Sequence, residues 1–333
     1  MRANRNHFMS KFDVLCIGNA IVDIIARCDE AFLVDNNIIK GAMNLIDADR
    51  AELLYSRMGP AIEASGGSAG LASFGSRSAY FGKVSADQLG KIFSHDIRAL
   101  GVHFDTKPLD GTPPTARSMI FVTPDGERSM NTYLGACVEL GPEDIEANVV
   151  ADAKVTYFEG YLWDPPRAKD AIRLCAEIGH KHGREMSMTL SDPFCVGRYR
   201  QEFLELMRSG TIDIVFANAE EAKSLYETDN FEHAVSQLRK DCKLAAITRS
   251  EHGSVIVRGD ERVDIDAIDI DEVVDTTGAG DLYAAGFLHG YAAGKPLDVC
   301  GKLGSLAAGL VIQQIGPRPQ LSLQDAARDA GFI

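Results

Sequence analysis

The sequence predicts an α/β protein with a doubly wound, mostly parallel central sheet flanked by helices, and with a small β-sheet lid. Two observations predict the main domain: apolar runs alternate with longer amphipathic stretches, and turn residues or helix starts follow those runs. A third observation predicts the lid. Two inserts of short alternating runs, about 35–50 and 103–135, break this rhythm, and a small sheet beside a site can close over it.

The apolar runs are the predicted core strands of the central sheet. In chain order they are 14–17, 154–158, 185–190, 212–217 and 245–248. Amphipathic or small-residue helical patterns predict helices at 167–181, 231–240, 281–293 and 301–314. In the second insert, the runs 118–123 and 128–133 flank the turn residues Pro124, Asp125 and Gly126, which predicts a β-hairpin.

Length and composition predict one large domain, residues 11–330, preceded by a disordered tail at 1–10. The net charge of -14 argues against nucleic acid or an anionic membrane as a partner. No apolar run approaches the length of a membrane span, and the polar start does not resemble a signal peptide. Seven cysteines without a C-x-x-C spacing predict free thiols and a cytoplasmic location. We expect a monomer or a homodimer.

The strongest chemical signal is the run Asp-Thr-Thr-Gly-Ala-Gly-Asp at 275–281, which opens a helical pattern. The first turn of a helix carries unpaired N–H groups and a partial positive charge. Gly278, Ala279 and Gly280 would therefore direct amides at a phosphate, and Asp281 would lie beside it as a proton acceptor. On spacing alone, a glycine-rich helix start whose aspartate is only a cap is an equal alternative.

Other nucleotide-binding motifs do not occur in the sequence. There is no G-x-x-x-x-G-K-[ST] run and no H-R-D loop, so a P-loop enzyme or a protein kinase is not supported. Gly278 and Gly280 are not completed to G-x-G-x-x-G, which argues against a dinucleotide oxidoreductase. His180 and His182 are two apart on a predicted helix and point in different directions, so we expect surface histidines and not a metal site.

The run 275–281, with 282–287 after it, closely resembles the C-terminal signature of the ribokinase-like (PfkB) carbohydrate and nucleoside kinases. The resemblance extends over roughly residues 13–320. It implies a doubly wound α/β domain with a β-lid, a substrate between them, and ATP at the carboxyl ends of the strands. It also implies that Asp281 is the catalytic base, with an anion hole formed by Thr277, Gly278, Ala279 and Gly280.

The resemblance also implies an ATP and metal site. Asn218 and Glu221 match an N-x-x-E run that organises Mg²⁺ and phosphate through water, although a capping pair is the commoner role of such residues. Thr248 and Gly253 match a nucleotide-contacting strand end and turn. Arg249 departs from the small apolar residue of the family, and either a phosphate or solvent could be its partner. Asp275 lies where related enzymes bind a monovalent cation, so K⁺ is a further candidate.

Several runs resemble adenosine kinases more than sugar kinases. Asn19 and Asp23 lie in a run similar to the turn whose aspartate holds ribose hydroxyls, and a carboxylate suits a vicinal diol. The run 134–136 resembles a lid segment against adenine, and 160–162 a base-pocket segment. The run 189–194 resembles another shared stretch. The candidate contacts there are Leu134, Ala136 and Tyr161, with plain core packing as the alternative. Arg128 could reach the transferred phosphate or only solvent.

The run Ser-Gly-Gly-Ser-Ala-Gly at 65–70 begins like the N-terminal signature of the family. It implies backbone contacts to sugar hydroxyls from Gly66, Gly67 and Ser68. The segment that follows is about one helical turn short and lacks the family's Asn.

The resemblance as a whole implies phosphorylation of a primary hydroxyl by ATP, foremost the 5′-OH of adenosine. A fructose or ribose kinase is one alternative. A non-catalytic nucleotide- or nucleoside-binding homologue is the other, and the shortened segment motivates it.

Overall fold

The computed structural model of the chain describes residues 10–59, the backbone of 61–65, and residues 69–333. The strands in this part are β1 Phe12–Ile17, β2 Ile21–Arg27, β3 Met43–Leu45, β4 Ala61–Ser65, β5 Ser78–Phe81, β6 Ala116–Val122, β7 Arg128–Tyr133, β8 Ala153–Glu159, β9 Glu185–Thr189, β10 Ile214–Asn218, β11 Leu244–Thr248, β12 Ser254–Arg258 and β13 Glu261–Ile265. The helices are α1 Glu30–Asp35, α2 Ala48–Arg57, α3 Ala69–Ser73, α4 Gln88–Ala99, α5 Ala147–Ala151, α6 Pro166–Lys181, α7 Pro193–Arg208, α8 Ala219–Leu225, α9 Phe231–Asp241, α10 Ala279–Ala292, α11 Leu297–Val311 and α12 Leu323–Asp329.

The central sheet has eight strands among the described residues, in the order β13-β12-β11-β10-β9-β8-β1-β5. Strands β5, β1, β8, β9, β10 and β11 run parallel, and β12 and β13 form an antiparallel edge. After β1 the chain reaches β5 on one side and later returns to β8 on the other. The boundary between β1 and β8 is therefore a topological switch point, and the predicted doubly wound, mostly parallel sheet is confirmed.

Both faces of the central sheet are covered, which explains its continuous apolar strands. On β1, Leu15 and Ile17 pack into one core cluster, while Val14 and Cys16 pack into another on the opposite face. Helices α6 and α7 contribute to the first cluster, and α4 and α10 to the second. The two helical layers hold the carboxyl ends of the parallel strands in fixed positions.

A second sheet of five strands, in the order β3-β7-β6-β2-β4, forms the lid within the described part of the chain. The predicted hairpin is present as β6 and β7. The predicted insert at 35–50 supplies only β3 to the lid: most of the insert is turn and irregular backbone, and the lid takes β2 and β4 from outside it. Strand β2 was not predicted, because apolar residues lie on both of its faces: Val22 and Ile24 are buried, while Ile21 and Ile25 are partly buried.

Other element boundaries in the structure also differ from the predicted ones. Helix α11 begins at Leu297, four residues before the predicted start, because Pro296 takes the cap position, where it does not interrupt the helix. The tail predicted at 1–10 lies outside the described residues except for Ser10, which is buried and ordered. All seven cysteines are free thiols. In the described residues no helix has the length and apolarity that crossing a membrane would require.

Candidate active site

The candidate site lies where the switch point of the sheet meets the start of α10. Gly18 follows β1, and Glu159 is the last residue of β8. Helix α10 packs on β1 and β8 from one face, and Asp281 in its first turn lines a cavity together with Gly18 and Glu159. Crevices at the carboxyl ends of parallel strands, at such a switch point, are where ligands bind in open α/β sheets.

The start of α10 has the geometry of an anion site. Gly278 caps the helix in the left-handed conformation (φ 78°), and a Cβ there would lie 2.6 Å from the Pro317 Cβ, so glycine is required. The N–H of Gly280 belongs to the first helical turn, which has no intrahelical acceptor, and no side chain caps this helix. A Cβ at Gly280 would meet no protein atom within 4 Å, so the space before it is open.

Two amides of the predicted anion hole already have partners. The N–H of Thr277 donates to Asp275 Oδ1 at 3.0 Å. The N–H of Ala279 donates to the carbonyl of Thr276 at 3.2 Å. Because these bonds shape the turn before α10, the amides left for a ligand are those of the first helical turn, foremost Gly280.

Two carboxyl groups face each other in this region. Asp281 is exposed toward the cleft, and protein surrounds its other sides. This partial removal from bulk water raises the pKa of Asp281 above its usual range. Removal from water, and then the negative charge of Asp281, raise the pKa of Glu159 as well. The sequence reading missed Glu159 because its partner is more than a hundred residues away in the chain.

A charge cluster joins the lid to the loop before α10. Arg128 on β7 forms an ion pair with Asp275, with 2.7 Å between Nη2 and Oδ2, and both side chains are less than a tenth exposed. The same oxygen, Oδ2, also accepts a hydrogen bond from the Gly316 N–H at 2.8 Å. Burial raises the pKa of Asp23 to about 6, while the charges of Arg128 and Arg318 act in the opposite direction. Arg318 was not among the predicted residues.

Asn218 and Glu221 form a reciprocal cap at the start of α8. The Glu221 N–H donates to Asn218 Oδ1 at 2.8 Å, and the Asn218 N–H donates to Glu221 Oε2 at 2.9 Å. Burial raises the pKa of Glu221 to about 7. Each carboxylate oxygen keeps a second lone pair, so the pair fits a role in holding Mg²⁺ through water. The described residues contain no group of three His, Cys, Asp or Glu side chains arranged to bind a metal directly.

The predicted nucleotide-contacting turn follows β11. Thr248 ends that strand, and its hydroxyl lies 3.5 Å from the carbonyl of Ala217 on β10. Gly253 has φ 74°, and a Cβ there would lie 1.9 Å from the Ile265 carbonyl, so glycine is required. Arg249 instead turns toward α9, where its guanidinium lies 4.7 Å from the Phe231 ring centroid. Arg249 therefore packs against α9 in this structure.

The predicted substrate residues differ in accessibility. Asn19 and Leu134 are half-buried, and so is Tyr161, whose hydroxyl bonds to Asp192. Ala136 is fully buried, and its N–H donates to the Pro114 carbonyl at 2.8 Å; its contact to a substrate stays a prediction. Phe194, at the start of α7, is 86% exposed.

Gly66, Gly67 and Ser68 lie outside the described residues. His180 and His182 are surface histidines as expected: His180 lies 3.0 Å from Asp213, and His182 bonds to the Ile178 carbonyl.

Together, the sheet order, the lid and the glycine-lined start of α10 define an ATP-dependent small-molecule kinase of the ribokinase-like class. A family model described as pfkB family carbohydrate kinase matches residues 63–323. The chain belongs to this family.

Solved structures and curated relatives agree with this membership. An adenosine kinase from Sinorhizobium meliloti is 74% identical, with a TM-score of 0.90 and coverage of 96% of this chain and 100% of that chain. A probable sugar kinase from Rhizobium etli CFN 42 is 71% identical, with a TM-score of 0.91 and coverage of 98% and 100%. Adenosine kinase 2 of Arabidopsis thaliana is 26% identical over 91% of this chain and 94% of its own length.

Proposed function

We propose that this kinase transfers the γ-phosphoryl group of ATP to the 5′-OH of adenosine. The observation that carries the proposal is the arrangement at the start of α10: Gly280 presents an open amide and open space, and Asp281 follows it at the edge of the cleft. A phosphoryl group at that amide would lie beside the carboxylate that orients the hydroxyl. Because phosphoryl transfer needs little deprotonation of the nucleophile, positioning by Asp281 is its main contribution.

Adenosine is favoured over a sugar by two observations. The relative that is 74% identical is an adenosine kinase, whereas the 71% identical relative carries only a probable sugar kinase description. Aromatic side chains also lie at the carboxyl edge of the sheet, where Tyr161 is half-buried and Phe194 is exposed. A purine base can stack on such rings, and a sugar gains less from them. Fructose or ribose remains the second candidate.

The remaining roles are assigned on the same basis. Asp23 on the lid strand β2 would accept hydrogen bonds from the ribose hydroxyls. Asn19 and the segment 66–68 would also contact the substrate. Arg128 would exchange its bond to Asp275 for the transferred phosphate. Thr248 and Gly253 would contact ATP, and Leu134 the base.

Mg²⁺ would be held through water by Asn218 and Glu221, and would neutralise charge on the phosphates. K⁺ at Asp275 requires that Arg128 release or share that carboxylate, because Arg128 is ion-paired with it and the N–H groups of Thr277 and Gly316 donate to it. We therefore expect K⁺ to bind at Asp275 and activate the enzyme only when the lid is displaced. Free thiols support a cytoplasmic location, and a monomer or homodimer is our expectation for the assembly.

A substrate panel tests the proposal. The purified chain is incubated with ATP, Mg²⁺ and adenosine, other nucleosides, ribose or fructose, and ADP release is followed by a coupled assay while the product is identified by mass. We expect 5′-AMP from adenosine with the highest kcat/KM. A higher value for fructose or ribose would make the chain a sugar kinase. Adenosine binding without ADP from any acceptor would make it a non-catalytic binding protein.

A further inference from the structure

A partly open cavity of about 70 Å³ lies between α10, α3 and the switch point of the central sheet. Its polar lining comes mainly from Tyr157 and Glu159 on β8 and Asp281 on α10, while Leu71, Leu282 and Ala285 are among its apolar walls. About 10–15 Å³ of such space is enough to hold one water, so the cavity has room for water. The catalytic candidate Asp281 therefore lines a polar chamber that opens onto the cleft.

The hydroxyl of Tyr157 gives independent evidence that this chamber is wet. It is buried, and it has no hydrogen-bond partner among the described residues. A buried hydroxyl without a partner is costly, and the usual solution is an ordered water with two to four polar contacts. Water in this cavity could contact the Tyr157 hydroxyl together with the carboxyl groups of Glu159 and Asp281.

The two carboxyl groups cannot both be ionised at low cost, because like charges in a partly dehydrated site repel. Glu159 is the more enclosed of the two: it is half-buried, whereas Asp281 is exposed toward the cleft. The pKa of each group is raised, and that of Glu159 is raised further. The titratable groups whose pKa is raised by the charge of Glu159 or Asp281 are themselves neutral or acidic; they are Tyr80, Cys137, Tyr157, Tyr161 and Glu221.

We propose that Glu159 is a positioning residue of the active site, which holds the one proton that it shares with Asp281 through water in this cavity. The proposal rests on the proposed function and names a further residue of the same site. Protonated Glu159 donates a hydrogen bond toward Asp281, which keeps Asp281 ionised at neutral pH. Asp281 is therefore ready to orient the substrate hydroxyl and to accept its proton.

The proton balance of the transfer is as follows. A lone pair of the hydroxyl oxygen forms the new bond to the γ-phosphorus, and the bond from that phosphorus to the bridging oxygen breaks with its electron pair on ADP. The hydroxyl proton passes to Asp281. The pair of carboxyl groups then holds two protons, and the second leaves to solvent through the cleft, where Asp281 is exposed. Glu159 keeps its own proton throughout.

The first test is the pH dependence of kcat/KM in two variants of one residue. Glu159→Leu removes the donor, so the pKa of Asp281 should rise and the acid limb should move up by roughly one pH unit. Glu159→Gln is neutral, is similar in size and still donates, so the acid limb should stay at its wild-type pH. Glu177→Gln, on an exposed position of α6, is the matched control and should change nothing. A residue that only supported the fold would lower kcat without moving the limb.

The second test does not depend on activity. Infrared difference spectra of wild type minus Glu159→Gln should contain the carbonyl band of a protonated carboxylic acid at neutral pH. In Asp281→Asn the like charge is gone, so this band should disappear at a lower pH than in the wild-type background. The band's absence, or an acid limb that Glu159→Leu leaves unmoved, would overturn the inference while the kinase assignment stands. If wild type phosphorylates no acceptor, the proposed function fails and the infrared experiment alone decides the inference.

Discussion

Arg128 of the lid and Asp275 of the loop before α10 form an ion pair with 2.7 Å between Nη2 and Oδ2, and the two side chains are 8% and 9% exposed. The pair joins the lid sheet to the domain that carries Asp281. Two N–H groups, of Thr277 and Gly316, also donate to Asp275, so the loop is held by one carboxylate. The lid therefore reaches the loop at the phosphate end of the site.

Breaking this ion pair should destabilise the protein. Arg128→Ala leaves the Asp275 carboxylate buried without its cation, and removal of one partner of a buried pair costs roughly 3–5 kcal/mol of unfolding free energy. Denaturant unfolding measures this, and Arg27→Ala on the exposed end of β2 is the control. The double variant Arg128→Met with Asp275→Asn should recover part of the loss. Equal stability of Arg128→Ala and the control would show that the pair does not hold the lid.

Asp281 should be required for turnover and not for folding. Asp281→Asn keeps the size of the side chain and removes the proton acceptor, so kcat should fall by roughly 10²–10⁴-fold. Because its surroundings already disfavour the charged form, the melting temperature should be unchanged or higher. Asp260→Asn, at an exposed turn between β12 and β13, is the control. Wild-type turnover in Asp281→Asn would remove Asp281 from the mechanism.

The two glycines around the start of α10 should separate stability from phosphate binding. Gly278→Ala places a Cβ 2.6 Å from Pro317 in a left-handed conformation, which costs roughly 1–2 kcal/mol before the contact is counted. The melting temperature and kcat should both fall.

Gly280→Ala meets no protein atom within 4 Å and improves helix propensity, so its melting temperature should not fall. Its methyl group would occupy the open space in front of the amide, so the KM for ATP should rise. An unchanged KM and kcat in Gly280→Ala would contradict the assignment of this amide to the phosphate.

The sequence predicted elements whose signal is local. Strands β1 and β8 through β11 are uniform apolar runs, and the run 275–281 contains both the glycines and the acid of the helix start. Strand β2 was missed because its alternation is masked: Val22 and Ile24 on one face pack in the same core cluster as α4, and the other face carries the apolar residues Ile21 and Ile25. Residue propensities alone do not separate β2 from the turn that precedes it.

Contacts between distant segments could not be predicted. Arg128 was a candidate only as a phosphate contact, and its partner Asp275 only as a cation ligand, because nothing in the sequence pairs positions so far apart. The same holds for Arg318, whose charge acts on Asp23 across the lid boundary, and for Glu159, which the fold brings to Asp281 at the switch point. A pair of acids, one at the end of a strand and one at the start of a distant helix, gives no signal in a sequence until the fold is known.

Glu221 should make the stability of the protein depend on pH near neutrality. Burial raises its pKa from the model-compound value of 4.5 to about 7, so the folded state favours the protonated form. The stability from this group is fully present below pH 4.5 and is lost as the pH rises through about 7. Integrated over that range, the loss is on the order of 3 kcal/mol at most.

Glu221→Gln tests this sign, because an amide does not titrate. The variant loses one hydrogen bond of the cap with Asn218, which lowers its unfolding free energy by a constant amount of about 1 kcal/mol. Wild type should therefore be more stable than the variant at pH 4.5, and this difference should fall and then change sign as the pH rises to about 7. Glu220→Gln, the exposed neighbour in the same helical turn, should run parallel to wild type. A difference that rises toward neutral pH would mean that the Glu221 carboxylate is stabilised by its surroundings, and the cap would then favour the charged form.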